Sequence, residues 1–121
     1  MFNPKPEVFK ALKKLGYYCS QGRQAVFEKN NLPAITFTVG NNVPNYCIDK
    51  EVASSDVEIV VDVWANESAI ASRIAGEAEA AMREIDYLQT YCADIPPDLE
   101  TEGSLYHIQL RFDAVKVKRK E

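Results

Sequence analysis

Ten residues constrain the fold more than any other part of the chain: Asp56-Val57-Glu58-Ile59-Val60-Val61-Asp62-Val63-Trp64-Ala65. Val57, Ile59, Val61 and Val63 fall on one side of an extended backbone, and Glu58, Val60, Asp62 and Trp64 fall on the other. A strand with one apolar face and one mixed face belongs at the boundary of a core, with its second side on a wetter surface. Asn66 then stands where a helix cap belongs. Ile70, Ile74, Ala78, Ala81, Met82 and Ile85 follow at helical spacing, which predicts a long helix to about Ile85. Its middle is small (Ala75, Ala78, Ala80, Ala81), so it can approach a sheet closely. Glu79 and Arg83 form an i,i+4 pair worth about 0.3 kcal/mol. A strand feeding a helix with one apolar stripe predicts a helix laid on a sheet.

The flanking segments supply the rest of that sheet. Val8, Phe9, Leu12 and Leu15 form an apolar stripe behind Pro4 and Pro6, and Gly16 stops the helix. Tyr17 to Gly22 reads as a turn, Gln24 to Glu28 as a short strand, and Lys29-Asn30-Asn31 as a polar turn. Pro33 opens a second strand, Ala34 to Val39, with Ile35, Phe37 and Val39 on one face. Residues 40–54 carry Gly40-Asn41-Asn42 and Pro44-Asn45, which predict a long loop, with Tyr46, Cys47 and Ile48 as a short extra strand inside it. Tyr87 to Ala93 reads as a strand, and residues 94–103, with Pro96-Pro97, as a second polar loop. Leu105 to Val117 is the last strand. Tyr106, Ile108, Leu110 and Phe112 point inward, and Leu105, His107, Gln109, Arg111 and Asp113 point outward. Apolar residues change parity after Ala114, to Val115 and Val117, which predicts a bulge or a change of packing partner. The expected fold is α+β: a single domain over 1–121, one mostly antiparallel or mixed sheet, two helices packed on one face, and long loops at 40–54 and 94–103.

A chain of 121 residues with 46% apolar and 26% charged residues has the size and composition of one globular domain. No apolar run approaches the roughly 20 residues of a bilayer span. The first residues lack the apolar stretch of a signal peptide. Three cysteines, Cys19, Cys47 and Cys92, form no close pair, as expected of reduced thiols in a cytoplasm. The net charge of −4 is unevenly spread. Residues 49–102 hold 14 of the 18 acids and three of the 14 bases, whereas Lys116, Lys118, Arg119 and Lys120 crowd one short stretch. This is not the basic stripe with interleaved aromatics of a nucleic-acid binder. The basic stretch reads either as a solvated tail or as a docking patch for an acidic surface, such as another copy of the chain.

Catalytic chemistry finds little to work with. His107 is the only histidine, lies mid-strand beside Gln109, and has no nucleophile motif near it. The spacing of Cys19, Cys47, Cys92 and His107 lacks the paired ligands of a zinc knuckle. Glu58 and Asp62 share a side of one strand but are about 13 Å apart at about 3.3 Å per residue, too far for a carboxylate pair. They are expected on a solvated or subunit-facing surface. Phosphate loops, dinucleotide fingerprints and calcium loops are missing. No catalytic residue, cofactor or metal is therefore expected. Trp64 reads as a packed boundary residue or as an interface anchor.

Residues 32–112 resemble the tail-completion (tail-to-head joining, or tail terminator) proteins of long-tailed phages. The likeness is carried by Asp56 to Ala65, ending Asp62-Val63-Trp64, by the Asn66 cap and by the alanine-rich Ile70-Ala71-Ser72-Arg73-Ile74-Ala75. Leu32-Pro33-Ala34-Ile35-Thr36-Phe37 and the closing strand from Tyr106 to Ala114 also fit. The resemblance implies a small non-enzymatic α+β virion protein, made in a bacterial cytoplasm. It would form a homo-oligomeric ring, generally a hexamer, at the head–tail junction. Its partners would be copies of itself, the tail tube protein and the head connector or head-completion protein. DNA would pass through without specific binding, and no membrane is involved. The residues suggest how contacts would form, since a ring needs one patch to meet a different one. Contact positions are expected at Asn41, Asn42 and Tyr46 in the first loop, at Glu58, Asp62 and Trp64 on the mixed face, and at Lys118 and Arg119 in the basic stretch. Glu58 and Asp62 are also candidates to line the lumen. The alternative is a small α+β protein-binding or regulatory domain that dimerises through its sheet.

Overall fold

The computed structural model describes residues 2–22, 32–49, 52–95 and 105–117. Its elements are α1 (Lys5–Lys13), β1 (Tyr18–Gln21), β2 (Ala34–Tyr46), β3 (Val52–Ala65), α2 (Ser68–Glu84), β4 (Leu88–Ile95) and β5 (Tyr106–Val117). The five strands form one sheet in the order β1-β2-β3-β5-β4. β1 runs parallel to β2, and the other pairs are antiparallel. Both helices lie on one face, so the fold is α+β with a mixed sheet, as expected.

The core lies between helices and sheet. Val57, Ile59, Val61 and Val63 of β3 meet Ile108, Leu110 and Phe112 of β5, Ile35 and Phe37 of β2, and Ile74, Ala78 and Met82 of α2. The period-two pattern of the strands and the stripe of α2 therefore meet as drawn from sequence. Each fully buried large aliphatic or aromatic side chain here contributes about 1.5–3 kcal/mol. α1 adds Val8 and Leu12. A polar clamp fixes its far side: the Tyr87 hydroxyl donates to Glu7 Oε1 at 2.8 Å, and Lys116 Nζ lies 3.4 Å from the same oxygen. That ammonium also donates to the Ile85 carbonyl at 2.6 Å and sits 4.2 Å from the centre of the Tyr87 ring. Burial, reinforced by the Glu7 hydrogen bond, pushes the Tyr87 phenol well above its ordinary pKa.

Several expectations are corrected. Residues 40–54 are mostly a hairpin rather than a loop, because β2 extends to Tyr46 and β3 begins at Val52. The residues read as turn signals serve other ends. Gly40 sits at a register shift between Val39 and Asn41, and a β-carbon there would collide with the Glu58 carboxylate. Pro44 lies where β2 has outrun β1, whose pairing ends at Phe37, so its missing N–H leaves no ladder bond unmade. Tyr46 ends β2, while Cys47 and Ile48 lie beyond it in the connection, not in a separate strand. Tyr18–Gln21, expected within a turn, is edge strand β1; four residues are too few to show a period. Asn66 does not cap α2, whose N-cap is Glu67.

The predicted bulge after Ala114 is absent from the β3–β5 pairing, whose register runs unbroken from Ser54–Val117 to Ala65–Tyr106. Val115 and Val117 instead point to the helix-free face and are 64% and 71% exposed. Tyr106, expected in the core, is 39% exposed at the start of β5. Asp94 and Ile95 belong to β4; the rest of the predicted 94–103 loop, and the predicted Gln24–Glu28 strand, lie outside the described residues.

Candidate functional site

The helix-free face of the sheet carries Glu58, Asp62, Trp64 and His107, and it divides into two ends. At one end, Trp64 lies directly across from His107, and Asp62 from Gln109. The Trp64 and His107 rings stack at 3.8 Å between centroids with 10° between planes. His107 Nε2 is 2.5 Å from Asp62 Oδ1 along the cross-strand diagonal. Gln109 Nε2 donates to the same oxygen at 3.3 Å, and an Arg111 guanidinium N–H donates to Gln109 Oε1 at 3.4 Å. The Trp64 indole N–H donates to Thr36 Oγ1 at 3.1 Å. Leu32 and Leu105 pack against Trp64 and Ala34. Asp62 is 5%, Trp64 3% and Thr36 1% exposed.

This end is a closed polar cluster. Its carboxylate has donors, and its indole N–H has an acceptor, so burial leaves little unsatisfied. Asp62 is therefore not on a solvated surface, and Trp64 packs within its own chain. The acid beside His107 is Asp62, because register decides which strand positions meet. Residue types alone carried no signal for that pairing. The imidazole–carboxylate pair resembles two members of a catalytic triad. Among the described residues, no group of three histidine, cysteine or acidic side chains could hold a metal ion.

The other end is open. Asp56, Glu58 and Asp113 stand on the same face, with Glu58 directly opposite Asp113 and Asp56 opposite Val115. Leu88 of β4 lies opposite Asp113 on its other side. With Asn41 and Asp86 these residues line a cleft of about 530 Å³. Leu88 and Val115, each 64% exposed, provide its apolar surface. No hydrogen bond or ion pair joins the side-chain carboxylate of Asp56, Glu58, Asp86 or Asp113 to another described residue. Two carboxylates directly across a ladder repel, so the site holds uncompensated negative charge over exposed apolar surface. The β2–β3 hairpin extends from this end, carrying Val43 at 44% and Tyr46 at 65% exposure, with Ile48 fully exposed beyond them.

The positions expected from sequence thus scatter. Asn41 and Glu58 belong to the cleft, and Tyr46 to the hairpin. Asn42 turns to the helix side, where its Nδ2 donates to the Phe2 carbonyl at 2.8 Å and its Oδ1 is buried without a partner. Asp62 and Trp64 belong to the closed cluster, and Lys118 and Arg119 lie outside the described residues. Leu88, Asp113 and Val115 were not singled out as contact positions; exposed apolar residues flanking an acid on one face are the signal that would have found them. Among the described residues, no helix is long and apolar enough to cross a membrane. No protein-family model matches the chain, and no curated protein matches it either.

Proposed function

We propose that this chain is a non-enzymatic virion assembly protein, of a phage or prophage, that forms a ring ending the tail tube and joining the tail to the head connector. The observation that carries this reading is the open end of the helix-free face. It exposes large apolar side chains, holds unpaired carboxylates, and carries an extended hairpin, whereas the Trp64 end of the same face is closed. Apolar surface of that kind marks a place where another protein sits. The strong separation of acidic and basic segments suits heterologous, head-to-tail contacts, which close into rings when the rotation allows. Net negative charge keeps passing DNA from adhering. The ring, generally hexameric in the proteins this chain resembles, takes as partners its own copies, the tail tube protein and the head connector. The reading involves no cofactor and no catalytic step.

Electron microscopy of tails assembled without this protein tests the reading. Tubes of uncontrolled length that fail to join heads are the expected result; tubes of normal length that join heads would overturn it. Mass measurement of the assembled junction gives the ring symmetry.

One observation favours a second reading, a small binding domain that dimerises through its sheet. β4 is an edge strand whose residues from Leu88 to Cys92 are all exposed, and an uncovered edge can pair with another strand. A two-fold dimer that persists on dilution, with amide protection gained along β4, would support it over the ring.

A further inference from the structure

We propose that the acid-rimmed cleft between β3, β5 and β4 binds the basic segment Lys118-Arg119-Lys120 of a second copy of this chain. This inference deepens the self-association in the proposed ring but does not depend on the tail role.

Three observations converge on that occupant. The cleft presents Asp56, Glu58, Asp86 and Asp113, whose carboxylates have no hydrogen-bond or ion-pair partner among the described residues, around exposed Leu88 and Val115. Glu58 and Asp113 face each other across the ladder, so an arriving cation relieves repulsion as well as gaining attraction. The chain itself supplies the complement: three consecutive bases at 118–120 follow the last described strand residue, Val117. Lys116 is not part of that supply, because its ammonium is already held by Glu7 and the Ile85 carbonyl. Long basic side chains suit the site, since their stems lie on apolar surface while their heads reach carboxylates.

Geometry favours a second copy over the chain's own segment. Glu58 and Asp113 lie five residues back along β5 from position 118, about 17 Å at about 3.3 Å per residue. Of the cleft's acids on β3 and β5, only Asp56, opposite Val115, is nearer to that position; meeting Glu58 and Asp113 from the same chain would need a reversal over Val117 and Val115, and a turn alone occupies about two residues. A segment arriving from a neighbour needs no reversal. Since the cleft and the basic segment are different surfaces, the contact is heterologous and propagates from copy to copy.

Zero-length carbodiimide cross-linking of an equal mixture of ¹⁴N- and ¹⁵N-labelled full chain tests this. Peptides joining Lys118 or Lys120 to Asp56, Glu58, Asp86 or Asp113, with one light and one heavy half, are expected. No such peptides, or only same-label ones, would overturn the proposal, the second outcome meaning that the chain's own segment occupies the cleft. In sedimentation velocity, Lys118→Glu/Arg119→Glu/Lys120→Glu and Glu58→Lys/Asp113→Lys should each weaken self-association by about tenfold or more. Mixing the two variants should restore it, because each then offers what the other lacks. Association untouched by either reversal would also overturn the proposal, leaving a ring joined elsewhere. If the copies join as proposed but tails lacking the protein are normal, the docking stands and the tail role falls.

Discussion

The helix-free face is made by the same three central strands along its whole length, yet its two ends have opposite characters. Around Trp64 the polar groups are buried and satisfied: Asp62 has His107 and Gln109, and the indole has Thr36. Around Glu58 they are unpaired, and the neighbouring apolar side chains are exposed. Alternation places one residue in two on this face at both ends; it does not determine what lies opposite. At the closed end an acid meets an imidazole and an amide across the ladder, and at the open end an acid meets an acid. The first arrangement stabilises one chain, and the second favours the arrival of another.

That contrast can be broken at either end, and the effects should differ in size. The largest belongs to Trp64→Ala, which removes a buried aromatic and should cost about 3–5 kcal/mol in urea unfolding. At the open end Val115→Ala should change the monomer's stability by no more than about 0.5 kcal/mol. Comparable losses at the two positions would mean that the open end is also core. Asp62→Ala comes next. It leaves a half-buried imidazole and amide without their shared acceptor and should cost about 1.5–3 kcal/mol. A loss near zero would show that water already serves His107. Asp113→Asn should act in the opposite direction, stabilising the chain by about 0.2–1 kcal/mol as the repulsion with Glu58 disappears. A destabilisation would mean that the carboxylate has a partner in the isolated chain.

What could be read in advance follows from how local each signal is. The β3–α2 unit was legible because a two-residue period and a helical stripe are properties of consecutive residues, and Val57 to Val63 and Ile74 to Met82 fill the core as that pattern requires. The hairpin at 40–54 was not, because Gly40 and Pro44 have one meaning in a free chain and another beside a specific neighbour. Only the register shift and the end of β1 make them strand residues. Val115 and Val117 misled for a related reason: exposed apolar residues on a sheet face imitate a change of parity. The site was half legible. Its acids were visible as a skew in charge, but the Glu58–Asp113 opposition, like the Asp62–His107 contact, exists only once β3 and β5 are paired.

A smaller effect carries the contrast between covered and uncovered sheet to the helix side. Cys19 of β1 packs against the core beneath α1, whereas Cys92 of β4, on the opposite edge, is exposed. Burial pushes the Cys19 thiol up from 9.0 to about 11, against a smaller lowering by Lys13. At pH 8 only about one Cys19 in a thousand would then be thiolate, and alkylation should reach Cys47 and Cys92 well before it. The sign for stability follows from proton binding. Above pH 9 the unfolded thiol loses its proton while the folded one keeps it until about pH 11. The contribution of Cys19 is thus fully present below pH 9 and falls as pH rises through that window. Cys19→Ala should remove that part of the slope, whereas Cys92→Ala should leave it unchanged. Equal alkylation rates at the two positions would mean that α1 does not cover the β1 edge.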